Sequence, residues 1–317
     1  MAVARISDLW RPVLFALGLL LIVLALAELV PAVADLAVGN PDWQAFALSS
    51  GITFFSGGLL SVATYRPAYR LELRQGFLLT VSAWFVVSLF GALPFELAAL
   101  ELDFSDSVFE AVSGLTTTGS TVLAGLDYMP PGILLWRGLL QWLGGIGIIA
   151  MAVLMLPFLR VGGMQLFRME SSDQTEKVVP RSSSFLAAIA ALYLGLTLAC
   201  ALAYQLAGMT GFEAVVHAMT TVSTGGYSTS DASLGHFDSA LVHWIAILFM
   251  VAGSLPFALY IRMLRRGHIP FWHDSQVRFF LALLATVALV MALWLRQNEG
   301  LSLGAALTRA TFNVVSV

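Results

Sequence analysis

Two stretches rich in hydroxyl residues and glycine are the parts of this sequence best suited to hold an ion. They read Thr-Thr-Thr-Gly-Ser-Thr at residues 116–121 and Ser-Thr-Gly-Gly-Tyr-Ser-Thr at residues 223–229. Glycine tolerates the positive φ angles that turn successive backbone carbonyls toward one axis. Rings of such carbonyls can replace the hydration shell of a cation. We therefore interpret both stretches as candidate cation-coordinating loops.

A short helix is predicted in front of the first stretch. Ser105 or Asp106 can cap a helix that runs to about Leu115. About ten residues at 1.5 Å rise cover roughly 15 Å, half of a bilayer core. A half-length helix followed by extended backbone forms a re-entrant loop, and its partly negative C-terminal end favours a cation. One loop supplies only part of a carbonyl ring, so about four repeats are needed, in one chain or several.

The second stretch repeats this design, and a third copy begins near the end of the sequence. Phe-Glu-Ala-Val occurs at residues 109–112 and 212–215, and we pair Gly119 with Gly225, 106 residues apart. Residues 312–317, Phe-Asn-Val-Val-Ser-Val, align with residues 109–114. Because no loop follows them, the expectation is a C-terminally truncated piece of a longer protein.

The composition places these loops in a membrane protein. Of 317 residues, 59% are hydrophobic and 11% charged, with a mean hydropathy of +0.86. Soluble domains are about one-quarter charged, so an ordinary soluble enzyme and a disordered chain are excluded. The net charge of −3 gives no basic surface for nucleic acid. One cysteine, Cys200, excludes a disulfide framework and a Cys-based zinc or iron–sulfur site within one chain.

Seven apolar stretches are long enough to cross a bilayer, and the basic residues orient them. The stretches lie near residues 12–30, 45–63, 76–95, 133–159, 185–207, 240–261 and 279–295. Thirteen of the 16 basic residues precede the first span or lie between spans two and three, four and five, or six and seven. The positive-inside rule therefore predicts a cytoplasmic N-terminus, with both candidate loops approached from the outer side. A cleaved signal peptide ending near Ala32-Val33-Ala34 is the minor alternative.

The repeats define five predicted segments. Residues 1–75 form an N-terminal transmembrane hairpin, residues 76–160 the first pore repeat and residues 161–184 a cytoplasmic loop. Residues 185–276 form the second pore repeat, and residues 277–317 begin a third. The predicted fold class is therefore an all-α polytopic membrane protein of repeated span, re-entrant pore loop and span units. The architecture would be channel-like with pseudo-fourfold symmetry, incomplete here.

These motifs, in this order, resemble the Trk/Ktr/HKT superfamily of potassium transporters, and most closely the bacterial TrkH/TrkG subunit. The resemblance covers essentially the whole chain. The matching pieces are residues 109–119, 136–148 (Trp-Arg-Gly-Leu-Leu-Gln-Trp-Leu-Gly-Gly-Ile-Gly-Ile), 163–168 (Gly-Met-Gln-Leu-Phe-Arg) and 223–229. The first two spans resemble the extra N-terminal hairpin of that family.

The resemblance implies potassium uptake across the cytoplasmic (inner) membrane through a backbone-carbonyl filter. It implies that potassium, the transported ligand, is coordinated by Thr117, Thr118 and Gly119 in repeat one and by Ser223, Thr224 and Gly225 in repeat two. It further implies a homodimer that assembles on a cytoplasmic nucleotide-binding regulatory subunit of the TrkA type, with no cofactor bound by this chain. The third and fourth filter strands are absent.

Other polar residues in apolar segments have structural and functional interpretations. Glu110 and Glu213 could create a negative outer field or, more simply, hydrogen-bond the pore helices in place. Arg137 and Gln141 could support the filter from behind or pair with Glu110. Glu28, His217 and His243 are functional candidates as intramembrane ionisable groups, although packing hydrogen bonds explain them more simply.

Two other functions remain open at this level. The alternative transporter is a secondary carrier of a small organic solute or anion with broken helices. Inward-pointing helix C-termini disfavour an anionic substrate. An intramembrane hydrolase has no supporting motif, because no G-x-S-x-G elbow is present, and the prediction is that the chain is not an enzyme.

Overall fold

The structure is a computed structural model that describes residues 6–66, 72–159, 178–266 and 274–317. Every regular element in these ranges is helical. Most of the predicted cytoplasmic loop 161–184 lies outside the described residues. The chain divides into two compact units, Met1–Lys177 and Val178–Val317, each described by itself.

In the described part of the first unit there are four long and two short α-helices. They are α1 (Ile6–Val38), α2 (Trp43–Thr64), α3 (Leu73–Gly91), α4 (Leu93–Leu97), α5 (Phe104–Leu115) and α6 (Pro131–Leu159). Helices α1 and α2 form the predicted hairpin and cross closely at Gly18 and Gly57. A Cβ atom built at Gly57 would lie 2.8 Å from the Gly18 carbonyl oxygen. Glycine at a crossing lets two membrane helices approach to backbone contact.

Long-range polar contacts attach the C-terminal ends of α1 and α3 to α6. The Gly132 amide, in the first turn of α6, donates a 2.6 Å hydrogen bond to Oδ1 of the buried Asp35 on α1. The first amides of a helix have no partner within that helix, so Asp35 acts as a cap from a distant segment. The Trp136 indole Nε1 donates a 3.0 Å hydrogen bond to the Gly91 carbonyl oxygen at the end of α3.

The second unit repeats the sequence of spans and short helices. It contains α7 (Val178–Leu206), α8 (Gly211–Val222), α9 (Ala240–Ser254), α10 (Phe257–Arg266), α11 (Ser275–Glu299) and α12 (Leu303–Ser316). Helix α8 begins with a capping box in which the Thr210 hydroxyl accepts from the Glu213 amide at 3.3 Å. Helix α12 contains the segment 312–317 that aligns with the first pore helix, apart from its last residue.

Six of the seven predicted spans are single helices of sufficient length and apolarity among the described residues. The sixth, predicted as one stretch over 240–261, is different. Helices α9 and α10 meet there at 91°, across Leu255 and Pro256. Proline has no amide hydrogen and clashes with the preceding turn, which ends α9 at this point. In α6 the helix continues through Pro157, so the Leu-Pro-Phe sequences at 156–158 and 255–257 have different conformations.

The outer faces of the long helices carry large apolar side chains. Phe55 on α2 is 71% exposed, Phe85 on α3 is 75% exposed and Phe279 on α11 is 70% exposed within this chain. Exposed apolar surface on this scale indicates contact with lipid or with other protein rather than with water.

Candidate functional site

The first candidate loop leaves the end of α5 through a tight turn. The Thr117 amide donates to the Gly114 carbonyl oxygen at 3.0 Å, and the Thr118 amide donates to that of Ser113 at 2.9 Å. Thr117 has φ +56° and Gly119 has φ +80°. The left-handed region is uncommon for threonine and ordinary for glycine. Left-handed residues lie on both sides of Thr118, and this alternation of backbone conformation changes the direction of the loop carbonyls.

The second candidate loop leaves α8 through the same turn. The Thr224 amide donates to the Thr221 carbonyl oxygen at 3.0 Å, and the Gly225 amide donates to that of Thr220 at 2.8 Å. Here the left-handed residues are Thr224, with φ +55°, and Gly226, with φ +85°. Each hydrogen bond and each positive φ angle has its counterpart in the first loop.

These counterparts correct the predicted pairing of the two loops. Thr117 and Thr224 are 107 residues apart, as are Gly119 and Gly226. The proposed pairing of Gly119 with Gly225, at 106, is therefore out of register by one residue. In the structural register, Thr117, Thr118 and Gly119 correspond to Thr224, Gly225 and Gly226. Ser223 corresponds to Thr116, and each is the C-cap residue that directly follows its pore helix.

A buried carboxylate holds the first loop against its pore helix. The Thr121 hydroxyl donates to Oε1 of Glu110 at 2.9 Å, and the Val122 amide donates to its Oε2 at 3.1 Å. The Arg137 Nε on α6 donates to Oε1 at 2.8 Å. Glu110 is fully buried and Arg137 is 1% exposed. The hydrogen-bonding interpretation of Glu110 is confirmed, and of the two alternatives offered for Arg137 the structure shows the pairing with Glu110.

A histidine holds the second loop in the corresponding way. His217 Nε2 lies 2.9 Å from the Ser228 Oγ, and its Nδ1 lies 2.8 Å from the Glu213 carbonyl oxygen. The side chain is 1% exposed and packs edge-on against the rings of Tyr204 and Phe237. The interpretation of His217 as a packing and hydrogen-bonding residue is confirmed.

The two glutamates of the repeated Phe-Glu-Ala-Val motif are not equivalent. Glu213 lies in the first turn of α8, where its Oε2 accepts from the Thr210 amide at 2.9 Å. Glu110 lies one turn later in its own helix. In the structural register, which is offset by 107 residues, the counterpart of Glu110 is His217. The Phe-Glu-Ala-Val motif is offset by only 103 residues, so it paired Glu110 with a residue from a different helical turn.

Comparison with known proteins identifies the family. Residues 43–313 match the TrkH family, described as cation transport protein. This chain belongs to the TrkH family. It is 44% identical over 317 residues to the Trk system potassium uptake protein TrkI of Halomonas elongata, a match that covers 99% of this chain and 64% of that protein.

The chain is 36% identical over 314 residues to the Trk system potassium uptake protein TrkH of Escherichia coli K12, covering 97% of this chain and 65% of that protein. The crystal structure of the potassium transporter TrkH from Vibrio parahaemolyticus matches with a TM-score of 0.88 at 35% identity. That match covers 97% of this chain and 64% of the other. The all-α polytopic fold is therefore confirmed as the TrkH fold, of which this chain spans a little under two-thirds of the length.

In this TrkH-family chain, a glycine on α6 contacts the C-terminal end of α5, and a glycine on α9 contacts the C-terminal end of α8. A Cβ atom at Gly253 on α9 would lie 2.5 Å from the carbonyl oxygen of Val222, the last residue of α8. Gly144 on α6 contacts the carbonyl of Leu115, the last residue of α5, in the same way. The sequence shows these glycines, but only the packing shows that each one seats a pore-helix C-terminus.

The loop positions differ in accessibility. Within the first loop, Thr117 and Gly119 are half-buried and Thr118 is exposed. Within the second, Thr224 and Gly226 are exposed, whereas Ser223 and Gly225 are buried. In the second loop the two left-handed positions are therefore the exposed ones, whereas in the first loop the most exposed position is Thr118, which lies between the two left-handed residues.

Proposed function

We propose that this chain supplies two filter loops of a potassium path in a Trk-type uptake system. The observation that carries the proposal is the recurrence of one loop conformation at a constant offset. Left-handed Thr117 and Gly119 in the first loop are matched by left-handed Thr224 and Gly226 in the second. A potassium filter requires the same carbonyl geometry to be repeated around the ion.

In this proposal the backbone carbonyls of Thr117, Thr118 and Gly119 and those of Thr224, Gly225 and Gly226 replace water around a dehydrated potassium ion. Ser223 lies at the inner margin of the second set, where its hydroxyl donates to the Thr220 carbonyl at 3.2 Å. The C-terminal ends of α5 and α8 add a favourable partial negative charge at this place. Potassium is here the transported ion, and the remaining carbonyls of the ring come from further repeats.

The proposed assembly follows from the same resemblance. The chain is a multi-pass protein of the cytoplasmic membrane with a cytoplasmic N-terminus, works as a homodimer and docks on a TrkA-type nucleotide-binding subunit. The distribution of arginine and lysine supports this orientation. Cys200 is the single cysteine and is buried, so it should not react with a thiol reagent. New cysteines placed in the loops can therefore test the orientation by labelling from either side of the membrane.

Rubidium uptake tests the transport function. Residues 1–317 would be joined to the part of the Halomonas relative that the match does not cover, and expressed in cells that lack other potassium uptake. We expect saturable rubidium uptake that potassium inhibits and that amino acids and sugars do not. A chimera that reaches the membrane in normal amounts and shows no uptake above background would refute the proposal. Inhibition by organic solutes alone would favour the secondary carrier instead.

A further inference from the structure

A carboxyl group lies completely buried in the N-terminal hairpin, far along the sequence from both loops. Glu28 on α1 has no exposed surface. The hydroxyl of Thr53 on α2 donates to its Oε1 over a long 3.4 Å contact. Its Oε2 has no hydrogen-bond partner among the residues that the structure describes. An ionised carboxylate in this setting would lack the hydrogen bonds that make burial of a charge tolerable.

The groups around Glu28 form a small seam of hydroxyls. Ser49 lies one turn before Thr53 on α2, is fully buried, and its Oγ has no partner among the described residues. The neighbouring Ser50 hydroxyl is already used, because it donates to the Ala25 carbonyl at 2.8 Å. Hard cations in proteins take about six oxygen ligands. One carboxyl and two hydroxyls are too few for a metal ion, but they suit a proton.

No positive charge compensates Glu28 from the helices that pack on α1. Helix α2 contains no titratable residue, and α3 contains only Arg74, in its first turn at the opposite end of the hairpin. The basic residue of α6 is Arg137, which is paired with Glu110 at 2.8 Å. On α1 itself, the acidic residue nearest in sequence is Asp35, two turns away and bonded to the Gly132 amide.

We propose that Glu28 is a proton-binding site that holds its proton at neutral pH. Protonation removes the unpaired charge and turns the orphan Oε2 into a hydroxyl donor that faces the hydroxyls of the seam. Ionisable groups inside membrane segments either find a charged partner or become neutral, and the helices described around Glu28 supply only the long Thr53 hydroxyl contact and no free positive charge. The site is separate from the candidate filter and does not depend on which ion the loops conduct.

Labelling with dicyclohexylcarbodiimide tests the site in membranes that contain the 317-residue chain. This apolar reagent reacts with protonated carboxyl groups, because the acid O–H adds across its C=N bond before the acyl group moves to nitrogen. An ordinary solvated glutamate is protonated in about one molecule in 500 at pH 7. We expect Glu28 to be modified near pH 7 about 100-fold faster than the exposed Glu96 on α4, as read by peptide mass spectrometry.

The variants separate this site from other carboxyls. Glu28→Gln keeps the size of the side chain and should remove the adduct, whereas Glu96→Gln should leave it unchanged. Thr53→Val removes a hydroxyl donor that favours the ionised form and should preserve or increase labelling. The infrared carbonyl band of a protonated carboxyl should disappear in Glu28→Gln, which gives a readout that needs no reagent access.

Two results would overturn the proposal. One is the absence of both the Glu28 adduct and the infrared band near neutral pH. The other is protection of Glu28 from the reagent by added sodium or potassium ions, which would show that the hairpin binds a metal cation instead. If Glu28→Gln does not fold, labelling of the unmodified chain with and without these ions still decides the question.

Discussion

Glu110 on α5 and His217 on α8 occupy the same position in two pore helices, 107 residues apart, and each holds the loop that follows it. Glu110 accepts from the Thr121 hydroxyl at 2.9 Å, and His217 lies 2.9 Å from the hydroxyl of Ser228, the equivalent residue. The first repeat does this with an ion pair to Arg137, and the second does it with an imidazole among aromatic rings. The two repeats should therefore respond differently to substitution.

Arg137→Ala should destabilise the first repeat strongly. Removal of the arginine leaves the carboxylate of Glu110 buried without its cation, a change of about 3–5 kcal/mol. The measurement is the amount and thermal stability of monodisperse protein in detergent. We expect a large loss of folded protein before any change of ion preference.

The matched control for this variant is Arg309→Ala. Arg309 pairs with Glu299 at a similar 2.7 Å, but the two side chains are 58% and 39% exposed. Exposed pairs contribute about 0–1 kcal/mol, so this variant should stay near the stability of the parent. Normal folding of Arg137→Ala together with altered selectivity would contradict a structural role for Arg137.

His217→Ala should loosen the second loop while leaving the first intact. It removes the histidine contacts to the Ser228 hydroxyl and the Glu213 carbonyl, and the loss of these two hydrogen bonds costs about 1–3 kcal/mol. In the chimera, we expect discrimination between rubidium and sodium to fall by about tenfold, which corresponds to about 1.4 kcal/mol.

The control for the histidine variant is His243→Ala. His243 bonds the Ser239 carbonyl at 2.9 Å within its own helix and lies against Phe312, so it has no bond to the loop. Its removal should leave ion discrimination unchanged. Equal losses in both variants would indicate a general effect on the second unit rather than a role in holding the loop.

Gly226→Ala should impair rubidium uptake more than Gly225→Ala. Gly226 has φ +85°, where a side chain adds about 1–2 kcal/mol of strain, whereas Gly225 is not in the left-handed region. Uptake by the two variants, normalised to membrane expression, measures the difference. A larger loss for Gly225→Ala would restore the pairing of Gly119 with Gly225 that sequence alignment favoured.

Gly144→Ala should destabilise the seat of the first pore helix, because its Cβ would collide with the Leu115 carbonyl. Gly253→Ala should do the same at Val222 in the second unit. Overpacking of this kind changes stability by about 1–3 kcal/mol. Gly147→Ala, on α6 with open space around its Cα, is the control and should be neutral or stabilising in thermal unfolding. Comparable destabilisation in Gly147→Ala would show that collision with the pore-helix carbonyl is not the cause of the effect.

The sequence alone determined the helices that are long and apolar enough to cross a membrane and the short helix between two of them. Hydropathy located seven spans, six of which are single helices among the described residues. The sequence predicted a half-helix that ends near Leu115, and α5 spans Phe104–Leu115. The predicted cap was wrong, because Asp103 is at the N-cap position and Ser105 and Asp106 lie inside the first turn. These properties depend on residues close together in the chain and on bilayer thickness, so local patterns are sufficient to predict them.

Only the tertiary structure decided the register of the two loops and the partners that hold them. The shared Phe-Glu-Ala-Val motif pairs Glu110 with Glu213, yet Glu213 caps its own helix while Glu110 bonds Arg137, 27 residues away. Sequence similarity does not reveal which turn of a helix faces the loop. That choice depends on which polar groups meet and exclude water in three dimensions, and it made His217 the counterpart of Glu110 and Gly226 the counterpart of Gly119.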